Sequence, residues 1–261
     1  MRSLSIAATG MMAQQLQVEV ISNNIANMTT SGFKRRRPEF QDLLYQSQRR
    51  IGAASSDTGT VVPAGVQIGL GVKPAAVYPI NSQGNMTSTE NPLDLAIQGE
   101  GYFIVERPSG ELAYTRDGSF QLGPDGLLVT ADGYTVSPGI TVPEDAIQVT
   151  VNATGQVQAK LQSQIAPVDL GQLELAIFAN EAGLEAVGNN LLVETPASGP
   201  ATVNTPGTAG YGELQQGFLE SSNVNPVQEM TALIAAQRAY DLNSKVITAS
   251  DEMMATVTQL R

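Results

Sequence analysis

Residues 225–261 read NPVQEMTALIAAQRAYDLNSKVITASDEMMATVTQLR, and this stretch decides how the rest of the chain must be organised. Several helix-start signals coincide in it. Asn225 is a good N-cap, Pro226 suits the first helical position, and Glu229 places negative charge in the first turn. Neither Gly nor Pro follows Pro226. The stretch therefore predicts one helix of about 35 residues and about 50 Å.

Small and apolar residues of this helix fall on two neighbouring seams, at alternating steps of three and four. The first seam contains Ala232, Ala235, Ala239, Leu242, Val246, Ala249, Met253, Thr256 and Leu260. The second contains Leu233, Ala236, Tyr240, Asn243, Ile247, Ser250, Met254 and Val257. One seam suits a two-stranded coiled coil, whereas two adjacent seams need neighbours on more than one side. Because an isolated helix of this kind is marginally stable, we expect it to have partners.

A second amphipathic helix is predicted at residues 3–26. Its seams contain Leu4, Ala8, Met11, Gln15, Val18, Ser22 and Ile25, and Ala7, Met11, Gln14, Val18, Ile21, Ile25 and Met28. Two such helices at the two ends of one chain can pair with each other. They would form either a clip that closes one globular domain or an assembly core shared by many subunits. The double seams favour the shared core.

A basic segment follows the N-terminal helix. Residues 22–32 are rich in Asn, Thr and Gly, which favour caps and turns, and FKRRRP occupies residues 33–38. The acidity of the whole chain disfavours a nucleic-acid contact, so we expect a docking arm or a solvated face. The candidate docking residues are Phe33, Lys34, Arg35, Arg36, Arg37 and Phe40.

Short strands separated by turn residues are predicted across residues 72–206. The candidates are 95–97, 102–106, 112–115, 119–122, 127–130, 134–136, 147–151, 157–161 and 173–179. Asp-Gly and Pro-Asp-Gly turns between them favour an antiparallel sandwich or an irregular barrel. Residues 46–66 predict a long loop or an extended hairpin, and residues 195–213 a low-complexity exit. A return strand is expected at 212–220.

Composition excludes several classes of active site. The chain has no Cys, His or Trp, which removes nucleophile–histidine triads, imidazole ligands and zinc-thiolate sites. The Asp-Gly turns lack the loop of ligands that calcium needs. We therefore predict no catalytic, metal or cofactor-binding residue. A hydrolase with two carboxylates distant in sequence is left open, and it would act on polysaccharide.

Charge is unevenly distributed along the chain. The net charge is -11, which argues against general nucleic-acid binding. Residues 1–50 nevertheless contain seven Lys/Arg and three Asp/Glu, a net charge of +4. The basic leading segment and the acidic remainder of different copies could attract one another, or the charges could simply be solvated.

Neither a membrane helix nor a cleaved signal peptide is expected. Gln14, Gln15, Gln17 and Glu19 interrupt the apolar residues near the N-terminus, and no apolar run reaches about 18 residues. The chain is expected to be cytosolic or exported by a route that needs no cleaved signal.

Sequence blocks at both ends and in the middle resemble the flagellar axial proteins, the rod and hook family. The blocks are AQQL at 13–16, ISNNIAN at 21–27, TSGFK at 30–34, GEGYF at 99–103, YTRDGSF at 114–120, SNV at 222–224 and QRAY at 237–240. Within the family, the chain resembles the distal rod members most. The resemblance lies in chain length, in KRRRPEFQDLLY at 34–45 and in the insertion at 46–66.

The resemblance implies a structural subunit of a rigid helical tube that carries torque from motor to hook and encloses an export channel. It implies no enzymatic activity. Export would use the flagellar type III apparatus, and the rod would cross the periplasm within the basal body. Partners would be copies of the chain itself, other rod proteins and the hook protein at its ends, and the surrounding periplasmic and outer-membrane ring proteins. No nucleic acid and no direct membrane insertion are expected.

The expected fold is α+β, with paired terminal amphipathic helices that form a coiled-coil-like core and an inserted antiparallel β-rich domain. The expected segments are 1–32 (N-terminal core helix), 33–71 (arm), 72–206 (outer β domain), 207–224 (return strand) and 225–261 (C-terminal core helix). Subunit packing is assigned to Leu4, Ala8, Met11, Val18, Ile21 and Ile25, and to Leu233, Ala239, Tyr240, Leu242, Val246, Ile247, Met253, Met254, Val257 and Leu260.

Besides the hydrolase, three alternatives stay open. A hook subunit or a proximal rod subunit would share the same tube. A β-rich surface adhesin on a helical stalk would instead need one seam and a discrete trimer.

Overall fold

Two long helices lie at the chain ends of the structure, a computed structural model that describes residues 2–49, 64–162 and 166–259. They are α1 (Arg2–Ala26) and α2 (Pro226–Gln259), as the sequence predicts. The Asn225 side chain caps α2, because its Oδ1 accepts hydrogen bonds from the N–H groups of Val227 and Gln228 at 3.1 and 3.3 Å. No helix of the described residues is long and apolar enough to cross a bilayer.

The described chain between the helices is built from short strands. In chain order they are β1 (Arg36–Asp42), β2 (Tyr45–Arg49), β3 (Val66–Gly69), β4 (Val72–Pro79), β5 (Met86–Ser88), β6 (Leu95–Gln98), β7 (Tyr102–Glu106), β8 (Leu112–Thr115), β9 (Phe120–Leu122), β10 (Leu128–Thr130), β11 (Thr135–Val136), β12 (Ala146–Val151), β13 (Gln156–Leu161), β14 (Val168–Gln172), β15 (Leu175–Ile177), β16 (Glu185–Gly188), β17 (Leu191–Val193), β18 (Thr202–Asn204), β19 (Glu213–Gln216) and β20 (Phe218–Glu220). The fold class is α+β, with antiparallel pairing in the β-rich body.

The chain divides into two compact units. Unit 1 contains the described parts of residues 1–25, 36–78 and 225–261, and unit 2 those of residues 26–35 and 79–224. Each end of the chain therefore belongs to unit 1, and most of unit 2 is one continuous insertion.

In unit 1, two strand pairs accompany the helices. β1 pairs with β4, and β2 pairs antiparallel with β3. The predicted insertion at 46–66 is described only at its two ends, which belong to β2 and β3. Thr9 of α1 accepts a hydrogen bond from the N–H of Val72 at 3.3 Å. A Cβ at Gly71 would lie 2.2 Å from the Thr9 hydroxyl, so glycine permits this close approach.

Unit 2 is built on a nine-stranded sheet in the order β16-β17-β8-β7-β11-β10-β9, in which β15 also pairs with β7 and β18 with β15. Four of the five side chains of β7 are buried, because apolar clusters cover both of its faces. Phe103 packs edge-on against Phe120 on one face, with ring centroids 5.0 Å apart. Tyr114 packs against Phe178 on the other face, with centroids 4.8 Å apart. Burial of a ring such as Phe103 contributes roughly 2–3 kcal/mol.

Candidate assembly surfaces

One buried amide connects the end of α1 to the start of α2. The Asn24 Nδ2 donates to Glu229 Oε2 at 3.1 Å, and both residues are 1% exposed. The same side chain accepts a hydrogen bond from the N–H of Arg36 and donates to the carbonyl of Arg36, each at 2.9 Å. Asn24 therefore joins α1, β1 and α2 through groups that would be costly to bury without partners.

Two further contacts continue along the helices. A methyl group at Gly10 would lie 3.0 Å from the Asn243 amide nitrogen, so the absence of a side chain lets Asn243 approach. The Ser250 Oγ lies 3.4 Å from the Ser3 Oγ. Because residue numbers rise along α1 as they fall along α2, the two helices run antiparallel along this line of contacts. Ala7 and Ala13, each three residues from Gly10, and Ala236 of α2 are also buried.

The side chains predicted for packing on α2 differ in exposure. Leu233, Ala239 and Ile247 are half-buried. Tyr240, Leu242, Val246, Met253 and Met254 are exposed, by 41–62%. We call Leu242, Val246 and Met253, which lie on one side of the helix, the open face of α2. The Val257 side chain and Leu260 lie outside what the structure describes.

The predicted packing residues of α1 are more covered. Ile21 is buried at 4% exposure. Leu4, Ala8, Met11, Val18 and Ile25 are half-buried. The intermolecular roles assigned to these residues of both helices remain predictions.

The basic arm is partly engaged within the chain. Phe33, Lys34, Arg35, Arg36 and Phe40 are half-buried, whereas Arg37 is exposed. Arg37 lies 3.1 Å from Glu39 and stacks over the ring of Tyr78, 5.3 Å from its centroid. An exposed cluster of this kind adds little to stability, and its charge stays accessible to solvent.

A buried carboxylate holds two cations in unit 2. Glu220 Oε2 accepts from Arg116 Nε at 2.6 Å, and Glu220 Oε1 lies 2.6 Å from Lys34 Nζ. The N–H of Gly84 also donates to Oε1, at 2.9 Å. Glu220 is 2% exposed. We call Lys34, Arg116 and Glu220 the Glu220 node.

Glycines bring backbone carbonyls to the other side of Arg116. Its guanidinium donates to the carbonyls of Ile97, Gly99 and Gly101, the first at 3.3 Å. Gly99 and Gly101 have φ of +114° and +134°, a backbone conformation that glycine adopts readily. The GEGYF and YTRDGSF blocks therefore meet at one guanidinium.

Burial and charge oppose each other at the Glu220 node. Burial alone would raise the pKa of Glu220, but the charge of Arg116 and the hydrogen bond and charge of Lys34 outweigh it and lower this pKa. Burial lowers the pKa of Lys34, and the contact with Glu220 opposes this shift without cancelling it. The carboxylate is therefore the group that the node stabilises in its charged form.

Asn223 organises a second backbone junction in unit 2. Its Oδ1 accepts from the N–H of Arg35 at 2.7 Å, and its Nδ2 donates to the carbonyls of Ile80 and Ser82 at 2.8 and 2.9 Å. Ile80 in turn donates its N–H to the carbonyl of Arg35 at 2.7 Å. One side chain thus gathers three separate segments.

A polar cleft of about 320 Å³ adjoins the Glu220 node. Its lining includes Lys34, Arg116, Tyr102 and Glu181. Burial, followed by the charge of Glu181, raises the pKa of Tyr102 far above its usual range, so its hydroxyl stays protonated. Among the described residues, no group of three or more His, Cys, Asp or Glu is placed to hold a metal ion.

The sequence did not single out Asn24, Asn223 or Glu220 as organising residues. Asn24 stands in the ISNNIAN block, where asparagine favours turns, but the structure places it inside α1. The available signal was the spacing of Asn24 from Gly10, which is two heptads and places both residues on one side of a helix.

Three family models match separate parts of the chain. The model "Flagella basal body rod protein" matches residues 4–34, "Flagellar hook protein FlgE/F/G D1 domain" matches 96–159, and "Flagellar basal body rod FlgEFG protein C-terminal" matches 215–260. The matched segments include most of α1, the central strands of the large sheet, and α2.

Full-length relatives share the same description, "Flagellar basal-body rod protein FlgG". The relative from Caulobacter vibrioides is 57% identical over 100% of both chains. The relative from Agrobacterium fabrum is 51% identical over 99% of both, and that from Bacillus subtilis is 40% identical over 100% of this chain and 99% of its own.

Proposed function

Because the chain belongs to the family of flagellar basal-body rod proteins described as FlgG, we propose that it builds the distal rod by self-assembly into a rigid helical tube. The family is a structural one, and the chain is not an enzyme. Membership rests on matches over the full length of several relatives.

The open face of α2 is the observation that supports self-assembly most directly. Leu242, Val246 and Met253 are 47–62% exposed, although Ala236 and Ser250 of the same helix are buried, and Ser250 lies against Ser3 of α1. Burial of apolar area contributes about 25 cal/mol per Å², so copies that cover this face are stabilised together. A helix with one covered side and one open apolar side suits growth by addition of further copies.

In the proposed tube, the terminal helices of many subunits form a coiled-coil-like inner core around an export channel. Residues 1–32 and 225–261 are proposed to supply that core. Residues 33–71 form an arm, and residues 72–206 form a β domain that faces outward. Residues 207–224 form a strand that returns to the arm region. The packing residues assigned above on α1 and α2 mediate the contacts between subunits.

Charge is proposed to orient the copies. The exposed Arg37 lies in the leading segment with its net charge of +4, whereas the rest of the chain is acidic. The arm residues Phe33, Lys34, Arg35, Arg36, Arg37 and Phe40 are proposed to dock on a neighbour. Attraction between exposed charges guides association and weakens with added salt.

Torque is proposed to pass from the motor to the hook through a stiff subunit. The central strand β7 of the unit 2 sheet is packed on both faces, and close-packed interiors deform little. Other rod proteins and the hook protein are proposed to meet the ends of the tube, and ring proteins of the periplasm and outer membrane to surround it. Direct membrane insertion and nucleic-acid binding form no part of the proposal.

Export is proposed to occur through the flagellar type III apparatus without a cleaved signal peptide. A narrow channel requires an unfolded or nearly unfolded chain, and helices that are marginal alone suit that route. We expect α1 and α2 to be disordered in the dilute free chain, with assembly supplying their folding free energy.

Electron microscopy of basal bodies from cells that lack this chain tests the proposal. We expect a rod that stops within the periplasm with no hook beyond it, and recovery when the wild-type chain is restored. A complete rod without a hook would move the chain to the hook. Loss of the whole rod would move it to the proximal rod. Intact motile flagella would contradict the family role and bring the adhesin forward.

A further inference from the structure

We propose that Asn24 and Glu229 fix the axial register of α1 against α2, so that the helices of one subunit meet in one alignment. Both residues are buried within the chain, so they would act by positioning the two helices of one subunit and not by contacting another subunit. The inference deepens the proposed function. It rests on that function only in one respect, because the register is measured first in basal bodies.

Contacts between the helices recur at intervals of seven residues or multiples of seven. Ser3, Gly10 and Asn24 lie on one heptad line of α1, and their respective neighbours Ser250, Asn243 and Glu229 lie on the matching line of α2. Ala236, which lies on the same line of α2, is 2% exposed. Seven residues are close to two turns, so the line keeps to one side of each helix.

Small residues on or next to this line do not by themselves choose an alignment. Ala7, Ala13 and Ala236 are buried, and alanine offers no long side chain that fills one particular hole. A shift of two turns would place Gly10 opposite Ala236 and Ser3 opposite Asn243. The Asn243 side chain, which approaches the bare Gly10 in the observed alignment, is flexible and can move by a few tenths of an ångström, so volume alone separates the two alignments only weakly.

The polar pair distinguishes these alignments. If α2 moved until Asn243 faced Ser3, Glu229 would face Gln17 and Asn24 would face residue 222, before α2 begins. If α2 moved the other way, Asn24 would face Ala236, and Glu229 would lie beyond the end of α1 at Ala26. In both cases the buried Asn24 amide and Glu229 carboxyl group lose the hydrogen bond between them, and loss of a hydrogen bond by buried polar groups is unfavourable.

Arg36 prevents Asn24 from following such a shift. Both the N–H and the carbonyl of Arg36 are bonded to the Asn24 side chain, so the amide is already oriented before it meets Glu229. A buried polar residue in a helix interface is a known means of specifying register. Here the pair would link the register of the helices to the start of β1.

Disulfide trapping measures the alignment directly. The chain has no Cys, so introduced cysteines are its only thiols. The pair Ser3→Cys with Ser250→Cys reports the observed alignment. The pair Ser3→Cys with Asn243→Cys reports a shift of two turns. That shift is about 10 Å along the axis, and disulfides need Cα atoms within roughly 7 Å.

Each reporter pair is placed in three full-length backgrounds. They are the native sequence, Asn24→Leu with Glu229→Leu, and a control with Glu19→Leu and Gln228→Leu. Glu19 and Gln228 are exposed residues of the same two helices. The double leucine variant is expected to stay folded, because replacement of a buried polar pair by apolar residues is often neutral for stability.

In the native and control backgrounds we expect the 3–250 link to exceed the 3–243 link by roughly 100-fold, because a misaligned carboxylate stays buried without Asn24. In the double leucine background we expect the two links to form within about threefold of each other. A double leucine variant that forms the 3–250 link alone would overturn the inference. Comparable amounts of both links in the native chain would overturn it too.

The samples separate this inference from the proposed function. Links are first measured in isolated basal bodies from cells in which the variant is the only copy of this protein. Non-reducing electrophoresis then distinguishes disulfides within one chain from disulfides between two chains. Absence of the native-background reporters from basal bodies would contradict the proposed function. The same pairs, oxidised in the purified full-length chain at a concentration at which circular dichroism shows the terminal helices formed, would then decide the register.

Discussion

The Nε of Arg116 lies 2.6 Å from Oε2 of Glu220, across a sequence separation of 104 residues. The same carboxylate holds Lys34, which precedes it by 186 residues. Three distant parts of unit 2 are therefore joined at a single buried acid. Loss of that acid leaves two cations in a site built around its charge.

Glu220→Ala is expected to lower the free energy of unfolding of unit 2 by about 3–5 kcal/mol, because Arg116 and Lys34 stay buried without their counter-charge. Urea unfolding of the full-length chain, followed by circular dichroism, measures the change. Glu213→Ala removes an exposed acid of the preceding strand and serves as the matched control. Equal midpoints for the two variants would show that the node contributes nothing.

Acid is expected to destabilise unit 2 through the same carboxylate. The folded pKa of Glu220 lies below its ordinary value of 4.5. Its contribution to stability is therefore fully present above pH 4.5, and is lost as the pH falls from there through the folded pKa. Unfolding free energy measured against pH should fall less steeply in this range for Glu220→Gln. Identical slopes for variant and wild type would contradict the prediction.

Leu242→Asp is expected to block assembly while leaving unit 2 folded. Leu242 is 62% exposed, so a carboxylate there meets water in the free chain, but it would lie in an apolar contact in the proposed tube. We expect rods to fall at least about tenfold in electron micrographs, and the unfolding free energy of unit 2 to change by less than about 0.5 kcal/mol. The control is Ser244→Asp, an exposed polar position two residues away. Normal rods with Leu242→Asp would remove Leu242 from the subunit contact.

Gly118→Ala is expected to damage the fold of unit 2 severely. A Cβ at Gly118 would lie 1.6 Å from the carbonyl oxygen of Leu95, so the backbone must move. We expect a loss of about 3 kcal/mol or more in unfolding free energy. At Gly123 the nearest atom to an added Cβ is 3.6 Å away, and Gly123→Ala is expected to change stability far less. The prediction fails if the thermal midpoints of the two variants agree.

Local sequence signals predicted the regular elements with strong turn chemistry. Strands β6 to β13 lie where alternating apolar residues are separated by Gly and Pro turns. Strands β1, β4, β5, β14, β16 and β18 were not predicted, because their side chains are largely exposed or mixed in character. The short strand β17 was not predicted either, although its side chains are buried or half-buried. β18 falls inside the segment 195–213, whose Thr, Pro and Gly content indicated a loop. Long-range pairing with β15 overrides that local preference.

Partners distant in sequence were the part that could not be predicted. The second seam of α2 contains Asn243 and Ser250, which lie against Gly10 and Ser3 of α1, and Ala236, which is buried. On α1 the contact line passes through Gly10 and Asn24, which neither predicted seam included. The apolar pattern of one helix does not reveal which of its sides faces a given neighbour. In this chain that side depends on the contact between Asn24 of α1 and Glu229 of α2.

Asn24 and Glu229 are 205 residues apart, and their contact carries an entropic cost that depends on the order of folding. When unit 2 folds, the backbone N–H of Arg35 is hydrogen-bonded to Oδ1 of Asn223 at 2.7 Å. Asn24 lies 11 residues before Arg35, and Glu229 lies six after Asn223, so the flexible span shrinks to about 17 residues. Loop-closure entropy then opposes helix pairing by about 2 kcal/mol less. Chains that fold unit 2 first therefore bring their two termini together faster than chains that begin at the ends.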